Sequence, residues 1–199
     1  MPGYIFLPVP TEQMLEEARY WTQGQEDKGK VPYEVLHNSH SEGLGKAVSR
    51  FTSGGCLKGV PADSKLYILL HGAGEPDSRF IGAKRANGED KKYTPKEMAA
   101  LLTKEGLTKQ IQAVNVYACG SGMAGTEMPP WAERLKLEMN LLGFRDIRVG
   151  GYTADVKTSY IYRYIAALTG AVFSDSTHKG AYDEKIGGEI RASATKVIF

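Results

Sequence analysis

Two short apolar runs, each ending in a reactive side chain followed by glycine, constrain this chain more than any other feature. Leu66-Tyr67-Ile68-Leu69-Leu70 runs into His71-Gly72, and Ile111 to Tyr117 runs into Ala118-Cys119-Gly120. Runs of this length read as buried strands of a parallel sheet. Between them, Thr94-Pro95-Lys96-Glu97 offers an N-cap hydroxyl, a proline at the first helical position and a glutamate three residues past the cap. Met98, Leu101 and Leu102 then supply an apolar stripe, and Gly106 a stop. Pro129-Pro130 opens a second helix, with Trp131, Leu135, Met139 and Leu142 inward and Gly143 at its end. Asp146 to Gly151 reads as the next strand. Residues 66–151 thus alternate strand and helix, which predicts an α/β fold with a mostly parallel central sheet flanked by helices on both faces.

The flanking segments carry weaker signals. Gly3 to Val9 reads as a first strand, and Thr11 caps a helix whose Met14, Leu15, Ala18 and Trp21 fall at helical spacing. Residues 22–43 are polar and predict a loop with one short strand around Val35. Leu44 to Phe51 reads as a short helix stopped by Ser53-Gly54-Gly55, and Gly72 to Lys92 as a long charged loop. Tyr160 to Leu168 and Ala171 to Phe173 are apolar runs, and Ile190 to Phe199 predicts a closing strand. No repeat or linker divides the 199 residues, so a single domain spanning 1–199 is expected.

Composition narrows the function classes. A net charge of +2 argues against nucleic acid or an anionic membrane as the partner. No apolar stretch reaches transmembrane length and no signal segment opens the chain. Two cysteines are too few for a disulfide scaffold or a Cys-based zinc site. These features predict a cytoplasmic protein with reduced thiols, or an effector secreted without a cleaved signal peptide.

The chemistry concentrates on Cys119 and His71. A thiol is a good nucleophile only as thiolate, and an imidazole beside it can take its proton at neutral pH. Catalytic groups collect at the carboxyl ends of parallel strands, so neighbouring strands would deliver both residues to one edge. Singly, each has a plainer reading: a buried Cys as a small core hydrophobe, a strand-end His as a surface residue. Both strand ends and both glycine neighbours together favour a Cys/His dyad. Cys56, in Gly54-Gly55-Cys56-Leu57, has no adjacent His and reads as structural. His37, His40 and His178 lie in polar stretches and read as surface residues, with a metal site at His37 and His40 as the lesser option.

A strand ending in His-Gly, then a strand ending in Ala-Cys-Gly 48 residues later, resembles the caspase-like (clan CD) cysteine peptidases. That group includes caspases, legumains, gingipains and the self-processing protease domains of large bacterial toxins. Tyr117-Ala118-Cys119-Gly120-Ser121-Gly122 departs from the caspase string by placing Tyr117 where Gln stands, so specificity for aspartate does not carry over. The toxin domains look closer, sharing the capped helix between the strands and the segment Ala132 to Thr153. The likeness spans roughly residues 66–155.

The resemblance implies a cysteine endopeptidase working through an acyl-enzyme, either a bacterial effector or a toxin self-processing protease. Cys119 would attack, His71 would be its base or imidazolium partner, and the backbone amides of Gly72 and Cys119 would form the oxyanion hole. Gly72 is expected to let backbone approach substrate without a Cβ. Tyr117, Gly151, Tyr152, Thr153 and Asp155 would flank the first specificity pocket. Asp155 facing that pocket would favour a basic residue before the cut; facing solvent, it would leave an aromatic-walled pocket that takes Leu. The partner is a protein or peptide substrate, including the parent chain itself, and no cofactor or metal is implied. The toxin domains are switched on by inositol hexakisphosphate, for which Lys157, Arg163, Lys179, Lys185, Arg191 and Lys196 are candidates. Asp175, Asp183, Glu184 and Glu189 dilute that patch.

Two other readings compete. One is a catalytically silent caspase-like module that binds a partner or peptide. The other takes Gly120-Ser121-Gly122-Met123-Ala124-Gly125 as a dinucleotide fingerprint. Against it, the stretch lies mid-chain, Pro129-Pro130 delays the helix, and no acidic residue ends a strand about 20 residues on. Under the peptidase reading the same glycines form a mobile loop around the nucleophile. A phosphatase loop is excluded because no Arg follows Cys119 at the required spacing.

Overall fold

The computed structural model describes residues 2–38, 55–157, 180–183 and 188–199. Strand β1 (Gly3–Leu7) leads into helix α1 (Glu12–Glu26), whose N-cap Thr11 accepts the Met14 N–H on its hydroxyl. The helix runs past the expected loop boundary at residue 22 because Ala18, Trp21 and Gly24 continue its buried face. Strand β2 (Glu34–His37) follows, then β3 (Lys65–Leu69). The expected helix at Leu44 to Phe51 lies outside the described residues.

The stretch from Gly72 to Lys92 is not loop throughout. It folds into a hairpin, β4 (Ile81–Lys84) and β5 (Asp90–Tyr93), antiparallel with Lys84 opposite Asp90. Charged residues on its exposed face hid the alternation, but Ile81, Ala83 and Tyr93 are buried. Helix α2 (Pro95–Lys104) starts with the expected capping box: Thr94 and Glu97 exchange side-chain and backbone hydrogen bonds. Such a cap contributes about 1 kcal/mol. Gly106, at φ 81°, ends it.

Strand β6 (Ala113–Tyr117), helix α3 (Trp131–Leu141) and strand β7 (Arg148–Tyr152) complete the alternating core. β7 begins later than expected, since Asp146 has a left-handed backbone (φ 59°) and belongs to the turn. Leu142, expected inward, is 42% exposed at the end of α3. Then come β8 (Asp155–Lys157), β9 (Gly180–Asp183) and β10 (Gly188–Arg191). The expected single strand from Ile190 to Phe199 is broken by a 3-10 turn at Ala192–Thr195, so only Lys196–Ile198 forms β11. The apolar runs Tyr160 to Leu168 and Ala171 to Phe173 lie outside the described residues.

One six-stranded sheet, in the order β11-β7-β6-β3-β1-β2, organises the chain. All its pairings are parallel except β11 against β7. Its two faces are covered by different helices. Trp21 of α1 packs against Tyr67 and Tyr117, with ring centroids 4.9 and 4.6 Å apart. Strand alternation puts Gly151 on the face opposite Tyr152, and there it meets Ala132 of α3. Ile5, Leu66, Ile68, Val114, Val116 and Val149 are fully buried between the layers. Burying each such side chain is worth roughly 1.5–3 kcal/mol. A second, antiparallel sheet, β10-β9-β8, stands beyond the end of β7. No described helix is long and apolar enough to cross a membrane.

Candidate active site

Strands β3 and β6 are direct neighbours, with Leu69 opposite Tyr117. Continued by two residues, that register would bring His71 level with Cys119 at the carboxyl edge of the sheet. The backbone of His71 is held from its other side, exchanging hydrogen bonds with Gly82 of β4 at 2.8 and 2.9 Å. Its side chain is exposed, and Cys119 is half-buried.

The fold gives Gly72 a reason of its own to be glycine. A Cβ at this position would overlap the carbonyl oxygen of Cys119, so the Cys119 backbone comes too close for a side chain. Among the described residues, neither the Gly72 nor the Cys119 N–H donates to a backbone carbonyl. Two N–H groups without a backbone carbonyl partner, on adjacent strand ends, suit an oxyanion.

The turn after Cys119 is held by several hydrogen bonds. Ser121, fully buried, donates its hydroxyl to the Val116 carbonyl at 2.8 Å and accepts the Tyr152 N–H at 3.1 Å. Its carbonyl takes the Ala132 N–H at the start of α3. Gly122 donates to Tyr152 O at 2.9 Å, and a Cβ on it would press on the Gly151 backbone. The helix begins at Trp131, beyond the glycines, whereas a dinucleotide fingerprint needs it to begin among them.

Electrostatics around the sulfur were not legible from sequence. The Cys119 thiol donates to the Val156 carbonyl at 3.6 Å, and burial pushes its pKa up. The Asp155 carboxylate beside it raises it further. That carboxylate also lies against Gly74, in the loop after His71. Strand β8 therefore lies against the Cys119 sulfur, and both influences favour the thiol over the thiolate. Burial pushes the Cys56 thiol up as well, with Glu105 accepting its backbone N–H at 3.0 Å.

The residues expected around the specificity pocket divide. Tyr117 and Tyr152 are buried, stacked edge-on with centroids 5.0 Å apart, and continue the aromatic cluster of Trp21 and Tyr67. Gly151 is packed beneath α3. Thr153 and Asp155 are exposed, and Thr153 donates to the Thr195 carbonyl. His37, expected at the surface, is buried with neither ring nitrogen hydrogen-bonded among the described residues, and burial lowers its pKa. It is the last residue of β2, whose place at the sheet edge is a tertiary fact. His40 and His178 lie outside the described residues. Among the described residues no cluster of His, Cys, Asp or Glu could hold a metal ion.

Of the six basic residues considered for a polyphosphate, Arg163, Lys179 and Lys185 lie outside the described residues. Arg191 is exposed. Lys196 has unforeseen neighbours: burial lowers its pKa, and Lys65 and Arg148 lower it further by repulsion. Compared with models of known protein families and with curated protein sequences, the chain matches none.

Proposed function

We propose that the protein is a caspase-like cysteine endopeptidase, with Cys119 as nucleophile and His71 as its acid–base partner. The observation that carries this is the β3–β6 register, which supports a thiol and an imidazole side by side at the sheet's carboxyl edge. In the reaction His71 takes the thiol proton as Sγ bonds to the scissile carbonyl carbon. The Gly72 and Cys119 N–H groups receive the oxyanion; losing one such donor costs about 10²–10³ in turnover. Collapse breaks the C–N bond as His71 gives its proton to the leaving amine. Water, deprotonated by His71, then hydrolyses the thioester and restores the thiol.

The thiol's contact with Val156 and Asp155 implies that β8 draws back before this cycle starts. A polyphosphate activator fits the same proposal, because an anion beside Lys196, Lys65 and Arg148 would relieve their repulsion. Calorimetry with inositol hexakisphosphate at millimolar concentration tests it; absence of heat ends this part of the proposal. Self-processing of a parent chain, or cleavage of a foreign protein as an effector, are both uses of this chemistry.

The protonated thiol also favours a second reading, a caspase-like module without catalysis that binds a peptide in the same cleft. Alkylation separates the two. Under the peptidase reading iodoacetamide labels Cys119 much faster than Cys56, and His71→Ala slows that labelling. Equal rates at the two cysteines, unaffected by His71→Ala, would favour the silent module.

A further inference from the structure

A cavity of about 640 Å³ opens beside His71, between the loop that follows it and the β4–β5 hairpin. Its size is that of a site for a few amino-acid residues. His71, Gly72 and Ala73 line it, whereas Cys119 does not. The cavity therefore lies on the imidazole's side of the sulfur. In acyl transfer the imidazole gives its proton to the departing amine, so the leaving half of a peptide lies on that side.

The lining has a definite character. Ile81 and Ala83 are buried beneath it, and Phe80, 45% exposed, adds an apolar wall. Arg79, Lys84, Lys91 and Lys92 bring positive charge, and Glu75, Asp77 and Asp90 negative charge. Two of the acids already have partners. Asp90 pairs with Lys92 at 3.8 Å, and both Asp77 oxygens accept backbone N–H groups of Thr126, Glu127 and Met128. Four cations against three carboxylates leave the lining one positive charge in excess, with the Lys91 ammonium held 4.9 Å over the Tyr93 ring. Cations gathered at the wall of a concave, partly apolar site attract anions more strongly than the same cations on an open surface.

Building on the peptidase reading, we infer that this cavity receives the residues that follow the scissile bond and selects an acidic side chain among them. The leaving segment enters between the His71 loop and β4, and its carboxylate meets Lys84, Arg79 or Lys91.

Quenched peptides test this, randomised before the cut and carrying Glu, Ala or Lys at the three positions after it. Cleavage is expected about three- to tenfold faster with Glu than with Lys, the gap shrinking as salt rises. Lys84→Glu reverses the order, and the milder Lys84→Gln levels it. Equal rates across the three series overturn the inference while leaving the peptidase reading intact. Coumarin amides with the same randomised acyl side carry no residues after the cut, so their failure to hydrolyse overturns the peptidase reading instead. In that event fluorescein-labelled Glu₃ and Lys₃ peptides are titrated against Cys119→Ala by anisotropy. Tighter binding of the acidic peptide, lost in Lys84→Glu, supports the cavity's preference, and equal affinity refutes it.

Discussion

Asp77 Oδ1 accepts the Met128 N–H at 2.7 Å, tying the loop after His71 to the loop after Cys119. The same carboxylate accepts the N–H groups of Thr126 and Glu127 at 3.0 and 3.1 Å. Arg134 adds a second tie by donating to the Ser78 carbonyl. Asp77 itself has a left-handed backbone, φ 57°, a conformation that aspartate tolerates better than most residues. Asp77 and Arg134 together therefore tie the loop after His71 to the loop after Cys119.

Those donors hold the Asp77 carboxyl below the usual carboxylate range, so the folded chain binds this proton more weakly than the unfolded one. The latch is accordingly intact above the unfolded value of 3.8 and is lost as pH falls through the lower folded value. Asp77→Ala should speed amide exchange at Thr126, Glu127 and Met128 by roughly tenfold or more at neutral pH. Unchanged exchange at all three amides would refute the latch.

Asp155 has the opposite influence, keeping the Cys119 proton in place. Asp155→Asn removes a negative charge beside the sulfur, lowers the thiol pKa and should raise the alkylation rate near pH 7 about three- to tenfold. The rate of the native chain should climb with pH through neutrality as the thiolate fraction grows. A pH–rate series with iodoacetamide on both proteins reads the shift, and superimposable profiles would count against Asp155.

Gly72→Ala sets a Cβ against the Cys119 carbonyl, where backbone meets backbone and no flexible side chain can yield. The strand ends must separate, at a cost of roughly 1–3 kcal/mol. Chemical denaturation should show that loss of stability. Peptide hydrolysis should fall with it, because the two N–H groups proposed to bind the oxyanion lie at this contact.

Thr94→Ala dismantles the capping box of α2 without disturbing the site. The expected cost of about 1 kcal/mol corresponds to a melting-temperature drop of roughly 2–4 °C. Glu97→Gln should lose less, since a glutamine can still accept the Thr94 N–H.

His37 should confer acid sensitivity. Burial lowers its folded pKa below 6.5, so between those two values the unfolded chain carries more protons. Stability then falls as pH drops below about 6.5, by at most about 1.4 kcal/mol per pH unit. His37→Leu should flatten urea-derived stability across pH 5–6.5; an unaltered slope would assign the sensitivity to another group.

Sequence alone settled the elements whose causes are local. The Thr11 and Thr94 caps, the Gly106 and Gly143 stops and the apolar runs ending at His71 and Cys119 depend on neighbours within a few residues, and they reappear in the structure. The β4–β5 hairpin escaped because its charged face masks three buried positions, and β8 because three residues are too short to show a period. Tertiary structure alone decided that β3 and β6 are neighbours, that His37, Tyr117 and Tyr152 are buried, and that Asp155 and Val156 cover the sulfur. It also decided that Asp77 reaches 51 residues forward to Met128. These outcomes depend on strand order and on which loops meet over the sheet edge. Such contacts join residues far apart in the chain, and the pattern of neighbouring side chains carries no record of them.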